Sequence, residues 1–295
     1  MTEYQTYVLS EPTAPARLEI VPERGGMVTR WQVNDQEILY LDAARFADPT
    51  LSVRGGIPIL FPICGNLPDD TYTLGDQTFQ LKQHGFARNL PWQVSDQTPT
   101  SLTLVLNSNQ ETLAHYPFEF QLVFTYQLVG STLEIHQRLF NHSQDTMPCS
   151  LGLHPYFCCQ DKSSLAFDIP ANQTWNQLTQ EVSSFTGSFD LEQDEIDLAL
   201  RPLSRQSATV QDRNRNLAIT LTYDSFYSTL VFWTIKERDF YCLEPWSAPR
   251  NAINTGESLT HLAPGVSMAA SVTFLVSHQN NPLEKVDPHE AADTS

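Results

Sequence analysis

The chain has few basic residues for its size. Its 295 residues include 17 Lys and Arg against 34 Asp and Glu, which gives a formal net charge of -17 at pH 7. A field of that sign repels the phosphates of nucleic acids and the surface of anionic membranes. We therefore expect neither nucleic acid nor a membrane as a partner, and an anionic ligand would have to be met by cations placed locally.

Cysteine is scarce as well. The five cysteines are an odd number and contain no CxxC pair. The N-terminus lacks a charged segment followed by an apolar one, and no run of about 18 apolar residues occurs, so neither a signal peptide nor a membrane helix is predicted. These features favour a reducing cytoplasm as the compartment.

Long amphipathic helical patterns are missing, and a period of two dominates instead. Apolar and polar residues alternate through 101–108, 118–128, 132–140, 217–223, 228–236 and 268–277. Turn signals such as Val129-Gly130-Ser131 separate these stretches. Half-buried antiparallel strands have this pattern. We therefore expect an all-β fold, either a sandwich or a barrel.

The organisation of the chain is simple. With 41% apolar residues the chain can bury a sizeable core, and neither a linker-like shift in composition nor a fixed-period repeat occurs. Residues 1–277 are therefore predicted to form one domain, and residues 278–295, which are polar and without periodicity, a disordered tail. The acidic stretch 186–203 has a mixed pattern, for which a loop with a short helical turn is one interpretation.

Three places interrupt the strands with polar residues among glycine, proline and aromatic residues. They read VRGGIPILFPICGNLP at 53–68, which leads to QHGFARNLPW at 83–92, then LGLHPYF at 151–157 and YCLEPWSAPRN at 241–251. Loops of this kind on a rigid scaffold often carry functional residues. An acid and a base of different type on separate loops fit general acid and base catalysis on a neutral polar molecule.

Each residue taken alone also has a structural explanation. A single histidine in a strand-rich protein is more often a hydrogen-bonded structural residue, and Glu244 beside a proline fits a turn cap. Arg54 and Arg88 fit ion pairs with some of the many carboxylates. Nearby aromatic rings would offer flat apolar walls to a sugar, and these belong to Phe61, Tyr156, Phe157 and Trp246.

Together, RGGIPILFP, QHGFARNLPW, LGLHPYF and CLEPWSAPRN, in this order, resemble the aldose 1-epimerase (galactose mutarotase) family over about residues 15–277. The arginine-bearing forms RGGIP and HGFAR look more like the hexose-6-phosphate mutarotase branch than the galactose branch. The resemblance implies a large antiparallel β-sandwich with an open cleft. It also implies a sugar or sugar phosphate as the small-molecule substrate, and neither a metal nor an organic cofactor.

The resemblance implies catalytic roles for two residues, since Glu244 in LEPW matches the family's general base and His154 in HPYF its general acid. Interconverting anomers requires removal of the C1 hydroxyl proton and protonation of the ring oxygen, so that the C1–O5 bond opens. A glutamate with a pKa of about 4.3 is ionised at neutral pH, and an imidazole of about 6.5 stays protonated beside a carboxylate. We therefore expect the pair to work without an extreme pKa shift.

The resemblance also points to four candidate residues for contact with the substrate, two of which match positions of the family. His84 in QHGFAR matches a histidine that hydrogen-bonds the sugar near its ring oxygen, and Arg54 in RGGIP matches a substrate-contacting arginine. Arg88 is the natural second cation, and bidentate arginine contacts suit a phosphate. Asp197 in DEIDLAL is a candidate ligand for sugar hydroxyls.

Two classes of function are open at this point. The first is an aldose 1-epimerase acting on a hexose or a hexose-6-phosphate, and the second is a non-catalytic carbohydrate-binding or sugar-sensing protein with the same fold. The pairing of His154 with Glu244 favours the enzyme, because a binding protein needs neither an acid nor a base. A glycoside hydrolase normally needs two carboxylates at the scissile bond, and only Glu244 stands in a site-like motif. The preferred hexose and the oligomeric state stay open.

Overall fold

The computed structural model of the protein describes residues 4–11 and 14–278. Within them the α-helices are short: α1 spans Ala43–Ala47, α2 spans Gln110–His115 and α3 spans Ala252–Thr255. None of these helices is long and apolar enough to cross a membrane. Of the predicted tail, His278 ends a strand, and residues 279–295 lie outside the described residues.

The described residues contain 24 β-strands. The first twelve are β1 (Tyr7–Glu11), β2 (Ala16–Val21), β3 (Met27–Val33), β4 (Gln36–Glu37), β5 (Ile59–Leu60), β6 (Thr71–Leu74), β7 (Gln77–Gln80), β8 (Gln93–Gln97), β9 (Ser101–Asn107), β10 (Phe120–Val129), β11 (Thr132–Asn141) and β12 (Met147–Cys149). The others are β13 (Gly152–Leu153), β14 (Tyr156–Cys158), β15 (Leu165–Asp168), β16 (Gln173–Asn176), β17 (Val182–Ser184), β18 (Glu195–Leu200), β19 (Ser207–Asp212), β20 (Leu217–Tyr223), β21 (Thr229–Ile235), β22 (Phe240–Trp246), β23 (Thr260–Leu262) and β24 (Ser267–His278).

Two large antiparallel sheets dominate the fold. Sheet I has the strand order β15-β19-β20-β24-β11-β10-β9-β8, and sheet II has the order β17-β16-β18-β21-β22-β13-β5, with β14 also paired to β22. A smaller sheet consists of β1 to β4 in sequence order. In two further two-stranded sheets, β6 pairs with β7 and β12 pairs with β23. The all-β prediction is confirmed.

The strands of sheet I form where the sequence alternates. In β10 every second residue is buried and the residues between are partly exposed, and β11 pairs with it over its whole length from the turn at Gly130. Gly130 has φ 57°, a left-handed conformation that glycine adopts without strain. Each of the six stretches predicted from alternation contains a strand, and the ends agree to within two residues.

The inner faces of the two sheets pack against each other. Phe157 of β14 meets Phe274 of β24, with ring centroids 5.8 Å apart, and Phe167 of β15 meets Phe232 of β21 at 5.3 Å. These rings belong to one continuous apolar core. The predicted sandwich is confirmed, and sheet II presents its opposite face to a cleft.

Strand β22 shapes that cleft because all seven of its residues are buried. Tyr241 and Leu243 point into the main core, while Cys242 and Trp246 pack in separate clusters on the other side of the strand. Glu244 shares the side of Cys242 and Trp246, since side chains alternate along a strand. The fold therefore buries a carboxylate at the floor of the cleft.

Candidate active site

The cleft has a volume of about 430 Å³ and is lined by residues from sheet II and from the loops around it. All six residues singled out in the sequence line it. They are His84, Arg54, Arg88, His154, Asp197 and Glu244. A cavity of this size matches a small-molecule site, and its polar lining suits a polar ligand.

His154 and Glu244 are in direct contact at the floor of the cleft. His154 lies between β13 and β14, both of which pair with β22, where Glu244 lies. Both side chains are buried, and His154 Nε2 is 3.4 Å from Glu244 Oε1. The other carboxylate oxygen, Oε2, accepts a hydrogen bond of 3.0 Å from the indole N–H of Trp246. The fold thus brings the two expected acid-base residues together.

Burial shifts the pKa of both groups toward the uncharged form. The pKa of His154 is lowered to about 3, first by burial and then by the charge of Arg88. The pKa of Glu244 is raised well above its usual value, first by burial and then by the charge of Asp197, although Trp246 and nearby arginines oppose the shift. The expectation of no extreme shift is wrong, because the sequence pattern did not reveal the depth of burial. Between the two titrations the pair holds one proton.

His84 reaches the cleft from an unusual backbone conformation. Its φ is 65°, and Gly85 follows at φ 67°, where a Cβ would lie 2.2 Å from the carbonyl oxygen of Phe61. His84 Nδ1 accepts a hydrogen bond of 3.0 Å from the N–H of Gly65, so the proton of the neutral ring is on Nε2. Burial, followed by the charge of Arg88, lowers the pKa of His84 well below its usual value. The ring is therefore a neutral hydrogen-bond donor.

Arg54 and Arg88 line the same cleft. The guanidinium carbon of Arg54 lies 5.9 Å from the ring centroid of Trp233. Arg88 donates a hydrogen bond of 2.9 Å to the carbonyl oxygen of Gln83, and its buried Nε has no hydrogen-bond partner among the described residues. Burial lowers the pKa of Arg88 from its usual value, but a guanidinium stays charged at neutral pH.

A third arginine, which the sequence analysis missed, joins them. Arg45 of α1 lines the cleft and donates to the carbonyl oxygen of Ser52 at 3.1 Å. Among residues 4–11 and 14–278, no carboxylate lies within 4.0 Å of Arg45, Arg54 or Arg88. Three positive charges without an acidic partner therefore face one cavity in a strongly acidic protein.

Asp197 lies in β18, inside the stretch 186–203, for which a loop with a short helical turn was one interpretation. That interpretation is wrong for residues 195–200, which form a strand. Its Oδ2 accepts a hydrogen bond of 2.9 Å from Arg250, and its Oδ1 accepts one of 3.0 Å from Gln177. Burial raises the pKa of Asp197, while Arg250 and Gln177 oppose the shift. The sequence analysis quoted Arg250 in CLEPWSAPRN but assigned it no role, because nothing in the motif indicated the contact with β18.

Aromatic rings form the walls of the cleft. Tyr156 stacks on His154 with ring centroids 4.6 Å apart, and Trp233 stands edge-on to His154 at 5.7 Å. Tyr156 and Trp246 were expected in this role, and both line the cavity. The same expectation for Phe61 and Phe157 is wrong, since both are buried in the core between the sheets.

One group in the cleft could offer ligands to a metal ion. Ligand atoms of His154, Cys242 and Glu244 all lie within 4.8 Å of one another. A metal site would need the Cys242 thiolate, but burial and the neighbouring Glu244 raise the pKa of this thiol well above its usual value. The donor set therefore fits a metal poorly.

Known proteins resemble this chain over most of its length. The family model described as aldose 1-epimerase matches residues 14–275. The chain belongs to the aldose 1-epimerase family. The family resemblance predicted from the four motifs is thereby confirmed, and membership supports an isomerase that acts on a sugar.

Solved structures confirm the galactose mutarotase-like fold. The chain is 48% identical to the Slr1438 protein from Synechocystis sp. PCC 6803, with a TM-score of 0.93 and coverage of 94% of this chain and 97% of that chain. It is 23% identical to a galactose mutarotase related enzyme from Lactobacillus acidophilus, with a TM-score of 0.76 and coverage of 94% and 99%. At that lower identity the likeness shows the fold alone.

A relative known from sequence covers a smaller part of the chain. It is a Cenchrus ciliaris protein provisionally named glucose-6-phosphate 1-epimerase, and it is 33% identical over 155 residues. The match spans 48% of this chain and 44% of that protein.

Proposed function

We propose that the protein interconverts the α and β anomers of a hexose or a hexose-6-phosphate. The observation that carries the proposal is the contact between His154 and Glu244 at the floor of the cleft, in a member of the aldose 1-epimerase family. An acid and a base in contact can donate one proton to a bound sugar and remove another in the same step. A non-catalytic carbohydrate-binding protein has no use for such a buried pair, so the enzyme is favoured over that alternative.

In the proposed reaction Glu244 removes the proton of the C1 hydroxyl while His154 protonates the ring oxygen, and the C1–O5 bond breaks. The open-chain aldehyde rotates about the C1–C2 bond and closes again with the two residues in exchanged roles. This cycle needs one proton on the pair. The lowered pKa of His154 and the raised pKa of Glu244 place that proton on Glu244 before a sugar binds, so it must pass to His154 across their contact before this step. His84 donates its Nε2 proton to a sugar oxygen and holds the ring in place.

The charge distribution in the cleft favours a sugar phosphate. Arg45, Arg54 and Arg88 line the cavity without an acidic partner among the described residues, in a chain of formal charge -17. Guanidinium groups bind phosphate oxygens through paired hydrogen bonds. The Cenchrus ciliaris relative, whose name refers to glucose-6-phosphate, supports the same substrate.

A glycoside hydrolase is the weaker reading of this cleft. Such an enzyme needs a second carboxylate at the scissile bond. Asp197 is the candidate, because it lines the cleft and its side chain is largely buried. Both oxygens of Asp197 already accept hydrogen bonds, from Arg250 and Gln177. Asp197 is therefore better suited to positioning a sugar than to attacking one.

The proposal is tested by NMR exchange spectroscopy at the C1 proton of glucose, galactose and glucose-6-phosphate. Wild-type protein is expected to accelerate anomer exchange of at least one sugar, and Glu244→Gln to lower that acceleration by about 10² to 10⁴-fold, the range for loss of a general base. The matched control is Glu192→Gln, which changes a carboxylate that is 86% exposed, outside the cleft.

Two outcomes would contradict parts of the proposal. Normal exchange in Glu244→Gln would remove this residue from the role of base. Sugar binding by wild type without any acceleration would make the protein a carbohydrate-binding protein.

We also propose that the reaction proceeds in the cytoplasm without metal or cofactor. Each step is a proton transfer between the sugar and the His154–Glu244 pair, which needs no redox or Lewis-acid group. The exchange rate is expected to stay unchanged after dialysis against EDTA. A loss that Zn²⁺ or Mg²⁺ restores would overturn this point.

A further inference from the structure

A buried cation, Arg24, has no part in the proposed reaction. It lies in the turn between β2 and β3, with 4% of its surface exposed, and it does not line the cleft. No carboxylate of the described ranges, 4–11 and 14–278, lies within 4.0 Å of it. Burial of a charge is costly unless hydrogen bonds replace its water, so the partners of Arg24 indicate what it stabilises.

Three backbone carbonyl oxygens accept hydrogen bonds from Arg24, and all of them belong to the segment 46–51. The Nε atom donates to Phe46 at 3.3 Å, and Nη2 donates to Asp48 at 2.9 Å and to Leu51 at 2.6 Å. A segment whose carbonyl groups are held at three points loses conformational freedom. One guanidinium therefore fixes the course of the chain from the end of α1 to Leu51.

The segment 46–51 connects two of the cleft arginines. Arg45 directly precedes it, Arg54 comes shortly after it, and both line the cleft. The Nε of Arg45 donates to the carbonyl oxygen of Ser52 at 3.1 Å, which closes the segment on itself. The positions of both arginines therefore depend on the contacts of Arg24.

Gly25, the next residue, contacts the segment that carries the third cleft arginine. The N–H of Gly25 donates to the carbonyl oxygen of Leu90 at 3.2 Å. A Cβ at Gly25 would lie 2.2 Å from the carbonyl oxygen of Arg88, so this close approach requires glycine. The turn at Arg24 and Gly25 therefore meets both segments that carry the cleft arginines, and it sets the distance between them.

From these contacts we infer that Arg24 is a positioning residue, which holds Arg45 and Arg54 at the spacing from Arg88 that a phosphate group requires. The inference rests on the proposed function. Within it, the preference for a sugar phosphate depends on a residue that lies outside the cleft.

The two parts of the substrate depend on Arg24 to different degrees. Several donors must meet the phosphate oxygens at hydrogen-bond distance together, so a shift of about 1 Å in the segment 46–51 weakens that contact. In the described part of the chain, the hydrogen bonds of Arg24 go to this segment and not to the elements that carry His154 and Glu244. A neutral sugar is therefore affected less than a sugar phosphate.

The experiment compares wild-type protein with Arg24→Met, which has a similar length but no donors, by NMR exchange spectroscopy. The ratio of kcat/KM for glucose-6-phosphate to kcat/KM for glucose is expected to fall about tenfold, mainly through a higher KM for the phosphate. Arg24→Lys should lower the ratio less, by about threefold, because an ammonium group still donates to some of the three carbonyls. Arg24→Lys decides the test if Arg24→Met does not fold.

Arg215→Met is the matched control. Arg215 also holds backbone carbonyl oxygens, those of Cys158 and Glu37, and it does not line the cleft. This variant loses the same kind of hydrogen bond, and it is expected to leave the ratio unchanged. The inference is overturned if the Arg24 variants lower kcat/KM equally for both sugars, since a purely structural role has that effect.

Calorimetric titration with inorganic phosphate separates this inference from the proposed function, because it needs no turnover. Wild-type protein is expected to bind phosphate, and Arg24→Met to bind it about tenfold more weakly. Acceleration of anomer exchange without phosphate binding, or with binding that Arg24→Met leaves unchanged, means that the inference is wrong and the mutarotase proposal stands. Weaker phosphate binding by Arg24→Met, without acceleration of any sugar by wild type, means that the reverse holds.

Discussion

Sheet I and sheet II are both eight-stranded antiparallel sheets, but they place polar side chains in different environments. In β10 of sheet I, buried apolar residues alternate with partly exposed ones, so polar groups face solvent. In β22 of sheet II both faces are buried, one against the core and one at the floor of the cleft. The same period of two therefore directs Glu244 into a buried environment, whereas in β10 it directs polar residues to water.

The difference also appears in hydrogen bonding. In sheet I the buried hydroxyl of Tyr126 donates to the carbonyl oxygen of Gly26 at 2.6 Å. Of the eight side chains with a buried polar atom that lacks a partner among the described residues, five line the cleft or the neighbouring groove of about 480 Å³ that Trp175 also lines. They are Asn66, Arg88, His154, Arg201 and Arg250. Such atoms cost stability, and their concentration around the cleft and the groove beside it indicates that this side of sheet II gives up stability for binding.

The largest expected effect comes from contrasting one residue of each sheet. Phe124 of β10 is fully buried, so Phe124→Ala should lower the free energy of unfolding by about 3 to 5 kcal/mol.

Glu244→Gln, in sheet II, should instead become more stable than the wild-type protein as pH rises. The pKa of Glu244 is raised in the folded state above its value in the unfolded chain. The contribution of Glu244 to the free energy of unfolding is therefore fully present below about pH 4.3 and is lost as pH rises through the folded-state pKa. Glutamine does not titrate and escapes this loss.

Urea unfolding of the three proteins at pH 5 and pH 8 checks the contrast. The Phe124→Ala deficit should be similar at both pH values, and the advantage of Glu244→Gln over wild type should grow from pH 5 to pH 8. A constant difference between Glu244→Gln and wild type would mean that Glu244 titrates alike in the folded and unfolded chains.

A smaller effect is expected from exchanging arginines. Arg54→Gln and Arg88→Gln should each lower kcat/KM for glucose-6-phosphate by about 10 to 100-fold relative to glucose, since a hydrogen bond to a charged group contributes roughly 1.5 to 3 kcal/mol. Arg138→Gln is the control, because Arg138 lies in β11 of sheet I beside Phe140. Equal losses for glucose and glucose-6-phosphate would assign these arginines to the sugar rather than to a phosphate.

The two sheets also differ in how far the sequence predicted them. Sheet I follows from alternation, because one face meets the core and the other meets water. The motifs of the cleft were recognisable from their glycine, proline and aromatic residues, and all six expected residues line one cavity. Their catalytic and binding roles stay predictions.

What the sequence left out depends on contacts between distant segments. The strand β18, with buried and partly buried residues on both faces, gives no clean period, so the position of Asp197 could not be predicted. Arg45 reaches the cleft from α1, and Arg250 reaches it from the segment after β22. Their roles depend on which charged side chains of other segments lie nearby, such as Asp197 beside Arg250, and the sequence does not show this. The depth of burial, which determines the pKa of Glu244, also results from packing between segments.

The smallest effect tests whether charge, besides burial, distinguishes the cleft from sheet I. Burial is the main cause of the low pKa of His154, and the charge of Arg88 is the second. Arg88→Gln should therefore raise this pKa while leaving it below 6.5, and Arg138→Gln should not move it. The measurement is the pH dependence of the imidazole ¹⁵N shifts, assigned with His154→Asn.

Bound glucose-6-phosphate should shift this pKa in the same direction as Arg88→Gln, because a phosphate beside Arg88 neutralises the charge that opposes protonation of His154. The substrate would then favour the protonated state in which His154 acts as the acid, and glucose would do so less. If neither Arg88→Gln nor the phosphate moves the titration of His154, burial alone determines its pKa, and the arginines affect binding without affecting proton transfer.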